Sequence, residues 1–171
     1  MVRVMTAALL CLFAGASHAD QADPAAASRA QARQAESLQV LGKYPQAIDA
    51  YRQALVLAGQ GTDRAWQVLL QGQLGGALLA AGQLDEAAQL LRDGLTAAQA
   101  LEDPGLQASL NNNLAHVLQA QGDTAAALTR FRESAALAKR AAAPALQAKS
   151  SLGAAGILLA SGGDAVEAQA L

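Results

Sequence analysis

Apolar and small residues recur along this chain in a fixed order. The segments LGKYPQAIDAYRQAL (41–55), AGQLDEAAQLLRDGL (81–95) and QGDTAAALTRFRESA (121–135) align without gaps. Gly42, Gly82 and Gly122 stand 40 residues apart, and Gly163 follows after 41. Five residues beyond each glycine comes an alanine: Ala47, Ala87, Ala127 and Ala168. Nine beyond stands a large side chain, Tyr51, Leu91 or Phe131, and twelve beyond a small one, Ala54, Gly94 or Ser134. Upstream, seven residues before each glycine, the chain is again small, at Ala35, Gly75, Ala115 and Gly156. Four before it stands a leucine, at Leu38, Leu78, Leu118 and Leu159.

This spacing predicts a helix A, a tight turn and a helix B in each unit. The glycine takes the position past the helix end, where left-handed backbone costs little. The small residues let paired helices approach closely, while the leucine and the large residue supply the bulk. Helix starts agree with that phasing. Pro45 lies in a first turn that tolerates it, and Asp103-Pro104 forms a cap followed by proline at the first helical position.

Composition adds to the picture. The 171 residues are one domain's worth of chain. Hydrophobic residues make up 53%, aromatics 3% and charged residues 15%, and this Ala- and Leu-rich mixture favours an all-α fold over sheets. A net charge of -2 and a pI of about 5.6 offer no electrostatic footprint for nucleic acid.

The first residues form a separate object. MVRVMTAALLCLFAGASHA has a positive start at Arg3, an apolar run from Val4 to Ala16, and small Ser17 and Ala19 before Asp20. That is the pattern of a secretory signal peptide over 1–19, cleaved after Ala19, with 20–24 as a flexible mature N-terminus. The apolar run is short for a bilayer span of roughly 20 residues. Leu9 and Leu10 before Cys11 argue against a lipoprotein. The expected location is therefore periplasmic or secreted. Cleavage removes Cys11, His18, Met1 and Met5, leaving His116 as the sole histidine and no cysteine. Thiol catalysis, disulfides and Cys/His zinc sites are not expected in such a chain. The uncharged stretch Ala65–Leu84 is broken by Gln67, Gln71, Gln73 and Gln83 and weakened by Gly75, Gly76 and Gly82. It reads as a helix outside the membrane, with Gly72 and Gly76 serving close packing.

The units resemble tetratricopeptide repeats, whose helix B shows G-x-Y-x-x-A-x-x-x-[YF]-x-x-A-L. GKYPQAIDAYRQAL, residues 42–55, matches every named position. NNNLAHVLQAQGD is similar to the N-L-G segment of the family's helix A, with Ala115 in the glycine's place. Two departures stand out. Gln31, Gln71, Asn111 and Leu152 occupy the place of the family's early tryptophan, which makes Asn111 an expected local weakness. The spacing of 40 exceeds the usual 34 or so, which implies longer helices. HEAT and armadillo repeats share the length but fit the glycine, alanine and aromatic phasing less well. The resemblance implies a right-handed superhelical stack of antiparallel helix pairs. It covers 25–171 as about four repeats, the last stopping some two turns into its helix B.

Chemistry has few footholds. His116 and Asn112 share a helix face, yet Ser109 with no acid partner makes no triad. Nearby Asp123 and Glu133 fall on other faces, so no metal site is expected. No Gly-rich phosphate loop precedes a Lys-Ser/Thr pair. Arg130, Arg132, Lys139 and Arg140 read as a solvated helix-B face. No enzyme activity and no cofactor are expected.

The resemblance instead implies a concave groove, lined by the A helices, that binds a peptide or partner protein. Carried over, its positions are Arg33, Glu36 and Gln39, then Gly72, Gln73, Gly76 and Leu79. The third unit supplies Asn112, Asn113, His116 and Gln119, and the fourth Gly153, Ala154, Ile157 and Ala160. Asn and Gln amides carry donors and acceptors suited to a peptide backbone. With Arg33 as the one basic member, a carboxylate clamp is not expected. The unfinished fourth unit admits three readings: self-association through the open end, a partner that completes the stack, or a regulatory repeat region of a larger enzyme such as a caspase-like peptidase.

Overall fold

The computed structural model describes residues 23–162. Seven helices follow one another, α1 (Pro24–Val40), α2 (Tyr44–Gly59), α3 (Arg64–Ala80), α4 (Leu84–Ala100), α5 (Pro104–Ala120), α6 (Thr124–Arg140) and α7 (Pro144–Ala160). Helix starts therefore recur every 20 residues, half the repeat seen in the sequence. Three pairs and the A helix of a fourth are described. The signal peptide 1–19, most of 20–24 and the fourth helix B lie outside the described residues. Asp23 caps α1, its side chain accepting from the Ala25 N–H, so the first helix begins at Pro24.

The turns explain the cadence. At 41–43, 81–83 and 121–123 the chain reverses in three residues, with Gly42, Gly82 and Gly122 at φ of 70°, 76° and 89°. The N–H of the next residue then reaches back to the carbonyl of Leu38, Leu78 or Leu118 at 2.9 Å, closing the helix end. Between units the same turn is built on Glu102 and Ala142, at φ of 54° and 52°. Such left-handed backbone costs a non-glycine residue about 1–2 kcal/mol. The α2–α3 link differs, taking the four residues 60–63 without a left-handed position.

Gly162 holds the left-handed position after α7, at φ 71°, one residue before the glycine the spacing expected. The fourth register therefore moves back by one residue. Leu158, buried at 7% exposure, is the partner of Leu38, Leu78 and Leu118, whereas Leu159 is 61% exposed. The uncharged stretch Ala65–Leu84 is also divided, because α3 stops at Ala80 and the chain turns before α4. Among the described residues no helix is long and apolar enough to cross a membrane.

Each helix packs on the next, and the A helices also meet directly, α3 on α5 and α5 on α7. The core runs as a continuous strip of alanine and leucine between the rows. Tyr51, Leu91 and Phe131 are its largest knobs, all essentially unexposed. Their sockets are small residues. A Cβ on Gly75 would sit 2.6 Å from Leu91 Cδ2, and one on Gly153 would sit 2.6 Å from Phe131 Cε1.

Gly75 and Gly76 make a direct test of this packing. Replacing a helical glycine by alanine favours the helix by about 1 kcal/mol. At Gly76 nothing lies within 4 Å of the added carbon, so Gly76→Ala should stabilise by roughly 0.5–1 kcal/mol in urea unfolding. At Gly75 the buried Leu91 has nowhere to move, and overpacking costs about 1–3 kcal/mol. Gly75→Ala should therefore destabilise despite its better propensity. Equal shifts in the two variants would show that the socket is not tight.

Candidate partner-binding surface

The A helices α1, α3, α5 and α7 supply the expected groove positions, and polar contacts tie neighbours together along this row. Glu36 on α1 accepts a hydrogen bond from Gln73 Nε2 on α3 at 2.8 Å. Gln39 accepts one from the Tyr51 hydroxyl at 3.3 Å. Burial first, and then the Glu36 charge, push the Tyr51 phenol up to about 12, so it remains a donor at any physiological pH. Gln73 Oε1 is buried and without a hydrogen-bond partner among the described residues. Beside this cluster a cleft of about 400 Å³ opens between Glu36, Gln39, Val40, Tyr44 and Ala80. Val40 and Leu41 next to it are strongly exposed. Arg33 is exposed on the same helix, and Leu79 is half-buried against the core.

On α5 the three asparagines divide. Asn113 is half-buried and donates from Nδ2 to the Gly72 carbonyl on α3 at 3.0 Å. Asn111 is buried but satisfied on both sides, donating to the Gln107 carbonyl at 3.1 Å and accepting from Arg130 Nη1 at 3.3 Å. It is an anchor between α5 and α6, not the expected weakness. Asn112, expected in the groove, is 1% exposed and belongs to the core. Its position lies too far round the helix to reach solvent once α7 packs on α5 and α6.

A buried polar relay begins there. Ser150 on α7 approaches Asn112 Oδ1 at 3.2 Å and Ser134 Oγ on α6 at 2.7 Å, while Ser134 also lies 2.7 Å from the Ala108 carbonyl. Two hydroxyl protons serve these three contacts. With Ser134 donating to Ala108, Ser150 donates to either Ser134 or Asn112 Oδ1, while Asn112 Nδ2 donates to Asn113 Oδ1 at 3.4 Å. At the other end of the stack, Trp66 Nε1 donates to Ser28 Oγ at 2.8 Å, and Ser28 donates to the Ala54 carbonyl at 2.8 Å. Sequence reasoning missed these serines because only Ser134 fell on a position of the repeat pattern, where it was legible only as small, while Ser150 stands where sister units carry Leu70 and Leu110. The signal available was a hydroxyl where the sister units carry Val68 or Ala108, and Ala54 or Gly94.

The remaining expected residues separate by exposure. Gln119 is exposed. His116 is half-buried, its ring edge-on to Phe131 with centroids 4.9 Å apart. Ile157, expected in the groove, is buried at 6%, and Ala154 is fully buried. Both follow from the register set by Gly162. In that register Leu152, Gly153, Gly156 and Leu159 occupy the fourth unit's share of these positions, and Leu152 and Leu159 are strongly exposed. Gly72 is buried as well, with room for a Cβ only at contact distance from Leu110. Of the expected positions in the first three units, Arg33, Glu36 and Gln119 are exposed and Gln39, Gln73, Gly76, Leu79, Asn113 and His116 are half-buried. Among the described residues no group of three or more His, Cys, Asp or Glu gathers. The arrangement offers hydrogen bonds and apolar ledges, the chemistry of recognition.

Two models of the tetratricopeptide repeat family match the sequence, over residues 23–100 and 108–144. No curated protein matches it. Among solved structures, a Rap protein complexed with Competence and Sporulation Factor is similar with a TM-score of 0.78 and 20% identity, covering 86% of this chain and 42% of that one. BtubC from P. vanneervenii is similar at 0.74 and 18% identity, over 90% of this chain and 63% of that one. A protein assigned as a kinesin light chain from Podosopora anserina, built of nearly identical TPR-like repeats, is similar at 0.73 and 21%, over 86% and 74%. At these identities the likeness is one of fold. The chain spans less than two thirds of the first two relatives.

Two outcomes follow from the geometry. Asn112→Ala should lower unfolding free energy by about 1–3 kcal/mol, the cost of stranding buried hydrogen-bonding groups, whereas Gln119→Ala should stay within about 0.5 kcal/mol. Similar effects would place Asn112 at the surface. For His116, burial and then Lys149 lower the pKa below the usual 6.5. The unfolded chain thus takes up the proton more readily than the folded one. This contribution is intact above pH 6.5 and is lost as pH falls through the lowered value. Chemical denaturation of the native chain between pH 7 and 5 should show a decline that His116→Gln reduces.

Proposed function

The chain belongs to the tetratricopeptide repeat family, and we propose that it is an exported scaffold holding an extended segment of a partner protein against its A-helix row. The observation that carries this is the cleft beside Glu36, Gln39 and Tyr44, at the head of a row of accessible amides. A peptide in extended conformation presents N–H and C=O groups at regular intervals. Exposed Gln119 offers both complements and Gln39 keeps its Nε2 as a donor, while Asn113 is already bonded to Gly72 and Asn112. Gln73 Oε1 is an acceptor still without a partner, so a donor from the segment would relieve a buried polar cost. Val40 and Leu41 provide an apolar ledge for a neighbouring side chain. A Rap protein of this fold was solved in complex with a separate factor, which supports partner capture by such a stack. Export rests on the signal-peptide pattern in residues 1–19.

A photo-crosslinking residue at Asn113 or Gln119 should capture a distinct polypeptide in the producing cells, whereas one at exposed Arg92 on α4 should not. Glu36→Gln with Gln73→Ala should abolish the capture while helical content stays unchanged. Capture of equal strength from Arg92 would remove the A-helix row from consideration. Export has its own measurement, because N-terminal sequencing of the accumulated protein should begin at Asp20, and an intact Met1 would overturn that part.

A further inference from the structure

Two further clefts share no lining residue with the accessible A-helix positions. One cleft of about 520 Å³ sits between the end of α2, the start of α3 and the end of α4. A second, of about 370 Å³, sits between the end of α4, the start of α5 and α6. They are equivalent, one repeat apart. Leu55 in the first corresponds to Leu95 in the second, Gln67 to Gln107, and Ala100 to Arg140. Each glutamine is held in the same way. Gln67 Nε2 donates to the Ala58 carbonyl at 2.9 Å and Gln107 Nε2 to the Ala98 carbonyl at 3.2 Å, so the cleft wall is fixed.

The shared frame carries two chemistries. The first cleft is mainly apolar, walled by Leu55, Val68, Ala97, Ala100 and Leu101, and its one charged member, Arg64, is turned onto Gln67 Oε1 at 3.0 Å. Between the equivalent repeats two positions turn basic, Leu90 to Arg130 and Ala100 to Arg140, while Gln71 and Asn111 are both amides. Arg130 is steadied by Asn111 at 3.3 Å and by Glu133 at 2.9 Å. Arg140 is exposed and forms no ion pair among the described residues. Four basic residues, Arg130, Arg132, Lys139 and Arg140, stand on α6 against the single acid Glu133, in a chain whose net charge is -2. Of these, Arg130 and Arg140 line the second cleft together with Glu133, and with Arg130 held by Glu133 it is Arg140 that is placed to meet a carboxylate.

We infer that the paired clefts form a docking track for an extended, acidic segment of a partner protein, which sets an apolar side chain between α2 and α4 and an Asp or Glu side chain beside Arg140. Charge complementarity selects the acidic partner, and the repeat spacing sets the interval between its two anchors. The track shares no lining residue with the positions of the proposed A-helix site, so each surface stands or falls separately.

Site-directed tethering tests this directly. In full-length protein with Cys11→Ser, a single cysteine is placed at Ala97 or at Ala136 and equilibrated with disulfide-bearing fragments, half ending in isobutyl groups and half in carboxylates. The Ala97→Cys protein should favour isobutyl fragments, and the Ala136→Cys protein should favour carboxylates. Adding Arg140→Gln should erase the second preference and leave the first. A fluorescent peptide series joining leucine to glutamate through linkers of increasing length should then show one length binding at least about tenfold tighter than either half, as expected when a second contact becomes intramolecular. Identical fragment ranking at the two cysteines, or no optimum in the series, would overturn the proposal. So would a sedimentation-detected dimer that Arg140→Gln disperses, because a second copy of the chain would then occupy the track. Circular dichroism of each variant establishes that it is folded before ranking.

Discussion

The stack depends on a large side chain seated in a socket that has almost no side chain of its own. Leu91 fills the space a Cβ on Gly75 would need, and the Phe131 ring does the same at Gly153. With aromatics at 3% of the sequence, few other residues could fill the gaps between helices. The helices must therefore approach closely, and alanine and glycine make that approach possible. Each unit touches only its neighbours, so one blocked socket would break the array locally. The 20-residue cadence of helix starts keeps every knob opposite its socket.

Close alanine-rich faces leave a second problem, because smooth surfaces pack almost equally well after sliding. Directional hydrogen bonds remove that freedom. The Trp66–Ser28–Ala54 contacts pin α3 to the first pair, and the Ser134–Ser150–Asn112 relay pins α7 to α5 and α6. Asn113 adds a tie from α5 to the Gly72 carbonyl of α3. In a buried setting each such group is costly if stranded. A displaced register is therefore penalised more strongly than it would be by the apolar contacts alone.

Much of this was legible from spacing. Helix pairs, turn glycines, the knob positions and the family follow from the alignment of 41–55, 81–95 and 121–135. The fourth unit was misread by one residue for a definite reason. Gly162-Gly163 and Leu158-Leu159 are doublets, so either register satisfies a pattern of glycine preceded by leucine. Only the backbone chooses, through φ 71° at Gly162. That choice buries Ile157 and exposes Leu159. The candidate surface was less legible because an A helix is covered on several sides. α5 buries eight of its residues, Asn111 and Asn112 among them, so side-chain polarity was a poor guide to exposure there.

Where the units stop agreeing is informative for the same physical reason. Packing fixes the knob, the socket and the turn, and any unit that departed from them would lose its neighbours. Positions outside that set can change without cost to the stack. On the A-helix row, Glu36, Gly76 and His116 are equivalent positions with three different chemistries. At the links between units, Ala100 and Arg140 diverge in the same way within a conserved glutamine-braced frame. Selective recognition requires each cleft to differ from its neighbour, because identical sites would leave a bound segment no preferred register.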